Sequence, residues 1–231
     1  MTHPPFAPSH LSCRPPEKRT LVRSALLLLV ATVALAGSLL PATPVGAVPV
    51  AERTAAWIAV TSRNVALELR RSADLEAVEQ AEVAERQIRE LAGLVAVLLN
   101  TDAEVLRTIW MQASLPRKIA LFSALSQVGV PYRLNADAPF IALDCSALTK
   151  FAWAQAGVSI ERGSAEQYAR ADRVSREKVQ VGDLVWYPGH IMFSLGTPDL
   201  IVHARSGQRS VEIHRIDSTR LGWMRWVSPL D

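Results

Sequence analysis

Between residues 51 and 113 the chain has no proline and a single glycine, Gly93, in a background of Ala, Leu, Glu, Gln and Arg; beyond residue 115 it breaks into short β-rich runs separated by turns. The first composition favours helix at nearly every position. The second reads as strands: residues 183–187, 191–195, 200–204 and 211–215 are rich in branched and aromatic side chains. Pro188-Gly189, Gly196-Thr197-Pro198-Asp199 and Ser206-Gly207-Gln208 punctuate them. Helices followed by an antiparallel meander make the expected class α+β.

Within the helical stretch, Ala77, Ala81, Ala84, Ile88, Leu91, Val95 and Leu98 recur at spacings of three and four, which lays them on one face of a long amphipathic helix. Asn100-Thr101-Asp102 ends that pattern, and Thr101 or Asp102 is placed to cap a second helix through Trp110. The region from 48 to 114 can serve as a coiled-coil hairpin, a spacer, or a lid, and its apolar face offers a surface for a regulatory protein partner.

Residues 1–47 read as an export leader. Arg14, Lys18, Arg19 and Arg23 precede an apolar run from Ser24 to Leu40, and Val45-Gly46-Ala47 supplies small residues for cleavage. The competing reading is a retained membrane anchor, but Gly37 and Ser38 interrupt a run already short of the roughly 18 residues that span a bilayer. The expected location is therefore outside the cytoplasm, in the cell wall or periplasmic space. Discounting the leader also changes the charge. The chain has 25 basic and 22 acidic side chains, of which the leader holds four and one, so the remainder is balanced and carries no nucleic-acid signature.

With Cys13 lost in the leader, Cys145 is the solitary cysteine, so it has no internal disulfide partner. Ser146 to Ala156 is helical in pattern, with Gly157 as its stop, which puts Cys145 at a helix start. There the partial positive charge and free N–H groups favour the thiolate. A thiol so placed is expected to react well below the pH of an ordinary cysteine, whose pKa is about 8.5. His190 and His203, on or beside short strands, are the candidates to take its proton and to orient the ring that does so. His214 alternates with Val211 and Ile213 and is expected to face solvent. One cysteine and dispersed histidines lack the paired spacing of zinc sites, so no metal and no cofactor is expected.

From about Leu115 to Val227 the chain resembles the NlpC/P60 family of cell-wall cysteine peptidases. The likeness is carried, in order, by Val130-Pro131-Tyr132, Asp144-Cys145-Ser146, Arg162-Gly163-Ser164-Ala165-Glu166-Gln167, Val181-Gly182-Asp183-Leu184-Val185, Gly189-His190-Ile191 and Val202-His203-Ala204. The resemblance implies a papain-like core over 115–231, with Cys145 as nucleophile, His190 as base and later acid, and His203 orienting it. It also implies Tyr132, Asp144, Ser146 and Arg162 as substrate-binding residues. The implied reaction is hydrolysis of peptidoglycan stem peptides, commonly between D-glutamate and a diamino acid, through a thioester. Two alternatives stay open: a non-hydrolytic wall-binding or scaffold protein, and a thiol acyltransferase or amidase acting on another exported amide.

Overall fold

The computed structural model describes residues 50–72, 78–207 and 209–230. The leader read over 1–47 lies outside them, as do Ala77 and the side chain of Ala81. Among the described residues no helix is long and apolar enough to cross a membrane.

Four helices come first: α1 (Val50–Ser72), α2 (Val78–Leu99), α3 (Ala103–Gln112) and α4 (Leu115–Leu125). Asp102 starts α3 as expected, its Oδ1 accepting from Glu104 N at 2.7 Å. Asn100, in the left-handed region at φ 49°, turns the chain between α2 and α3. The apolar face of α2 is real in Ala84, Ile88, Leu91 and Val95, all buried, but it closes on Leu99, while Leu98 is half exposed. Ala92 and Ala96 are buried as well, so the stripe lies slightly to one side of the expected line. The buried part of the face, Ala84 to Val95, is spent inside the fold on α1, α3 and β7, so these described residues do not form the free surface on which a regulatory partner was expected.

A two-residue ladder, β1 (Asp137–Ala138) with β2 (Ala142–Leu143), leads into α5 (Cys145–Gln155). The short helix α6 (Ser164–Arg170) follows, and then a six-stranded sheet: β3 (Asp172–Val174), β4 (Val181–Tyr187), β5 (His190–Leu195), β6 (Leu200–Ala204), β7 (Val211–Arg215) and β8 (Arg225–Ser228). The order is β3-β8-β4-β5-β6-β7, antiparallel throughout. The four expected strands are the meander β4 to β7, and β8 returns to fill the gap between β3 and β4.

Strand alternation divides the sheet into two buried faces. Leu184, Ile191, Phe193, Leu200 and Val202 join the helices in the main core. Val185, Met192 and Ile201 pack on the other side against Ile216, Leu221, Met224 and Trp226. Three buried polar groups tie the helices to the sheet. Arg117 on α4 donates to Asp183 Oδ1 at 2.8 Å and to Ser228 Oγ at 3.1 Å. Trp110 Nε1 donates to Leu195 O at 2.8 Å, and Trp153 Nε1 to Gly182 O at 3.1 Å. The tryptophans thus divide between core and surface: Trp153 and Trp226 are buried, whereas Trp223 is exposed.

Candidate active site

The helix that begins at Cys145 is held at its first turn. Asp144 is its N-cap, and Oδ1 accepts from Ala147 N at 2.8 Å. Arg162 grips the same carboxylate with both ends of its fork, Nη1 to Oδ1 at 3.0 Å and Nη2 to Oδ2 at 2.8 Å. Its Nη1 also donates to Ser146 Oγ at 3.0 Å. Gln167 completes the arrangement: Nε2 donates to Ser146 O at 2.9 Å and Oε1 accepts from Thr149 Oγ1 at 2.7 Å. Asp144, Ser146 and Arg162, expected as substrate-binding residues, have their polar atoms engaged with one another, and they hold the start of the Cys145 helix in place. Gln167 stood in the quoted motif without a role; its buried amide was not foreseeable from a mostly polar stretch.

Cys145 is itself buried, with 9% of its surface exposed. Burial pushes the thiol above its ordinary value; the N–H groups of Ile191, Ser146 and Cys145 pull the other way without prevailing, and the Asp144 carboxylate adds to the rise. The expected lowering at the helix start is thus overturned, because desolvation outweighs the helix end. The Ile191 N–H also locates the sulfur: it lies against the start of β5, one residue after His190. Tyr132 is bridged to Leu143, and its hydroxyl is pushed up by burial and by the neighbouring Cys145 and Asp144.

His190 is the first residue of β5, set there by the two-residue Pro188-Gly189 turn, in which Gly189 takes φ +88° and Tyr187 pairs with His190. Its Nε2 lies 2.9 Å from Nδ1 of His203 on β6. That contact occupies Nε2 and leaves Nδ1 as the free ring nitrogen. Burial lowers His190 to about 4 and, with the His190 ring beside it, lowers His203 to about 3. At neutral pH the site therefore holds a neutral thiol and two neutral imidazoles. His214 is exposed, as expected. A cavity of 250 Å³ borders both His190 and His203, with Tyr187, Arg205, His214 and Arg220 among its walls. A larger groove of 770 Å³ between α1 and the Val128–Pro131 turn is mostly apolar and touches neither histidine, so the chemistry selects the smaller space.

The model of the NlpC/P60 family matches residues 129–225, a span holding Cys145, both histidines and the Asp144–Arg162 clamp. Residues 129–225 form a domain of the NlpC/P60 type. The domain is 33% identical over 103 residues to dipeptidyl-peptidase 6 of Lysinibacillus sphaericus, covering 44% of this chain and 37% of that one. It is 33% identical over 66 residues to the bifunctional muramidase/DL-endopeptidase CwlT of Bacillus subtilis, covering 29% of this chain and 20% of that one. The chain thus matches well under half the length of these curated relatives. Among solved structures, the NlpC/P60 domain overlays RipD of Mycobacterium tuberculosis, described as a non-catalytic NlpC/p60 protein adapted to peptidoglycan binding, with 21% identity and a TM-score of 0.43. That overlay covers 50% of this chain and 98% of RipD.

Proposed function

We propose that the chain is an exported cysteine peptidase that hydrolyses peptide bonds in peptidoglycan stem peptides, between D-glutamate and a diamino acid. The observation that carries this reading is the 2.9 Å contact between His190 and His203, on strands whose near end also meets the Cys145 sulfur. Relatives named as a dipeptidyl-peptidase and a DL-endopeptidase point to the same class of bond.

In this reading Cys145 Sγ attacks the scissile carbonyl carbon while His190 Nδ1 takes the thiol proton. The carbonyl oxygen becomes an oxyanion, to which the Cys145 backbone N–H donates. Collapse breaks the C–N bond; His190 returns the proton to the departing amine, leaving an acyl thioester. Water, deprotonated by the same ring, then releases the acid and the thiol. Since both partners rest neutral, proton transfer accompanies attack and no standing ion pair is required. The substrate's stem peptide occupies the space bordered by Tyr132, the histidines and the 250 Å³ cavity.

One observation favours a second reading, wall binding without cleavage: the buried sulfur with its raised pKa. Incubating the full chain with muropeptides and following products by mass spectrometry separates the two. Cleavage that Cys145→Ala abolishes supports the peptidase. Retention on walls with no product from either form supports the binder.

A further inference from the structure

The antiparallel register of β6 and β7 puts Glu212 directly opposite His203. Glu212 Oε1 lies 3.6 Å from His203 Nε2. That nitrogen is buried and, among the described residues, has no hydrogen-bond partner. A buried ring nitrogen left without a partner calls for an explanation, and the only anion facing it among the described residues is this carboxylate. We infer that Glu212 is a positioning residue, the fourth member of a line running Cys145, His190, His203, Glu212, and that its charge fixes the tautomer of His203.

Matching donors to acceptors decides between the two tautomers of His203. If His203 carries its proton on Nδ1, its Nε2 lone pair faces a carboxylate at 3.6 Å, an acceptor against an anion in a buried place. If the proton is on Nε2, the N–H points at the carboxylate and Nδ1 is left to accept from His190 Nε2–H at 2.9 Å. Only the second arrangement leaves His190 Nδ1 as a lone pair, the form a base needs. It is also the arrangement that survives when His190 becomes doubly protonated, since both its nitrogens must then donate. The 3.6 Å separation is beyond an ordinary hydrogen bond. Such contacts tighten as charge develops in the reacting complex.

Glu212 is built to stay an anion in one place. Arg205 Nη1 donates to Oε1 at 2.9 Å and Arg209 Nε to Oε2 at 3.1 Å. Burial pushes its carboxyl up, but these guanidinium hydrogen bonds more than offset that and hold it below the usual range. The groups facing His203 are then His190 from β5, Arg205 beyond the end of β6, and Glu212 and His214 from β7. Of these, Glu212 alone is negative. A signal existed in the sequence, but it needed the exact pairing of two strands across the Ser206-Gly207 turn, which spacing does not supply.

The role of Glu212 in turnover rests on the peptidase reading, so the test separates the two. Long-range proton–nitrogen NMR on the histidine-labelled full chain at pH 7 reports which nitrogen of His203 is protonated, with or without catalysis. The wild type should show Nε2–H. Glu212→Leu should populate Nδ1–H and lower kcat on muropeptides about tenfold, less than the roughly 10⁴-fold lost when a triad's orienting carboxylate is replaced, since only part of the population changes tautomer, with KM changed less than twofold. Glu212→Gln, which keeps shape and fold, should fall between them, since an amide can serve either tautomer. A wild type with the proton on Nδ1, or variants that keep the wild-type tautomer, would overturn the assignment. If the wild type shows Nε2–H and Glu212→Leu loses it, but no form cuts muropeptides, the peptidase reading fails and the Glu212 assignment stands.

Discussion

His190 illustrates how one side chain links burial to pH. In the fold it titrates at about 4, against an ordinary 6.5. Between those values an unfolded chain binds a proton that the folded one refuses, so stability falls as the pH drops from 6.5 to 4 and is unaffected by this group above 6.5. The full effect is up to about 3 kcal/mol, less the screening by solvent at a ring that is only partly covered. Chemical denaturation at pH 7.5 and pH 4.5 should show the loss, and His190→Gln should reduce it while leaving the part that His203, lowered to about 3, contributes over the same window. The same burial sets the activity profile. The ring must be neutral to take the thiol proton, so the acidic limb of kcat/KM should lie near pH 4; a limb at 6 to 6.5 would mean that the ring is solvated in the free enzyme. Cys145 was the easiest of these residues to find, being solitary and at a helix start. Its ionisation was misread because the count of neighbours that bury it is a tertiary property, absent from the local pattern.

At the scale of elements, α5 carries Cys145, the proposed nucleophile, and two devices fix it. Its first turn depends on Asp144, which both caps the helix and receives the Arg162 fork. Asp144→Ala should lose a cap worth about 1 kcal/mol and strand the half-buried guanidinium, for a total of about 2 kcal/mol. Asp144→Asn, still able to cap, should lose less, and thermal unfolding distinguishes them. The far end of α5 rests on β4 through Trp153. Gly182 takes φ +87°, and a Cβ there would stand 2.7 Å from Trp153 Cζ2. Gly182→Ala should therefore cost about 1–3 kcal/mol, from backbone strain and a displaced indole together. Elements with local signals were legible: the cap at Asp102, the helix start at Cys145, the stop at Gly157, and strands β4 to β7 between their turns. Strands β3 and β8 were not. Asp172–Val174 is short and largely exposed, and Arg225–Ser228 becomes a strand only because β3 and β4 flank it. Pairing across some fifty residues leaves no trace in a local window.

At the scale of the molecule, residues 48–231 form a single compact unit, and the helical stretch is part of how the NlpC/P60 domain is packed. Ile58, Val65, Ala66 and Leu69 of α1 are buried, and α1 lies along α4. Arg70 donates to Gln155 at the end of α5. Arg215 on β7 donates from Nε to Leu99 O at 3.1 Å, joining the sheet edge to the end of α2. Trp110, fully buried on α3, meets Phe122 of α4 edge to face at 5.7 Å. Cutting the chain at residue 115 would remove α1 to α3 and bare α4, whose Ile119, Leu121, Phe122 and Leu125 are all buried. At about 25 cal/mol for each Å² of apolar surface returned to water, an exposed helix face of this kind outweighs the few kcal/mol of margin that a small domain has. The sequence allowed a lid that could be removed to release activity; the packing argues for a support. The expected result for residues 115–231 is a lower melting temperature or aggregation, with a muropeptide rate at or below that of the full chain. A truncated domain that stays monomeric, melts at the same temperature and cuts faster would show instead that α1 to α3 restrain the site.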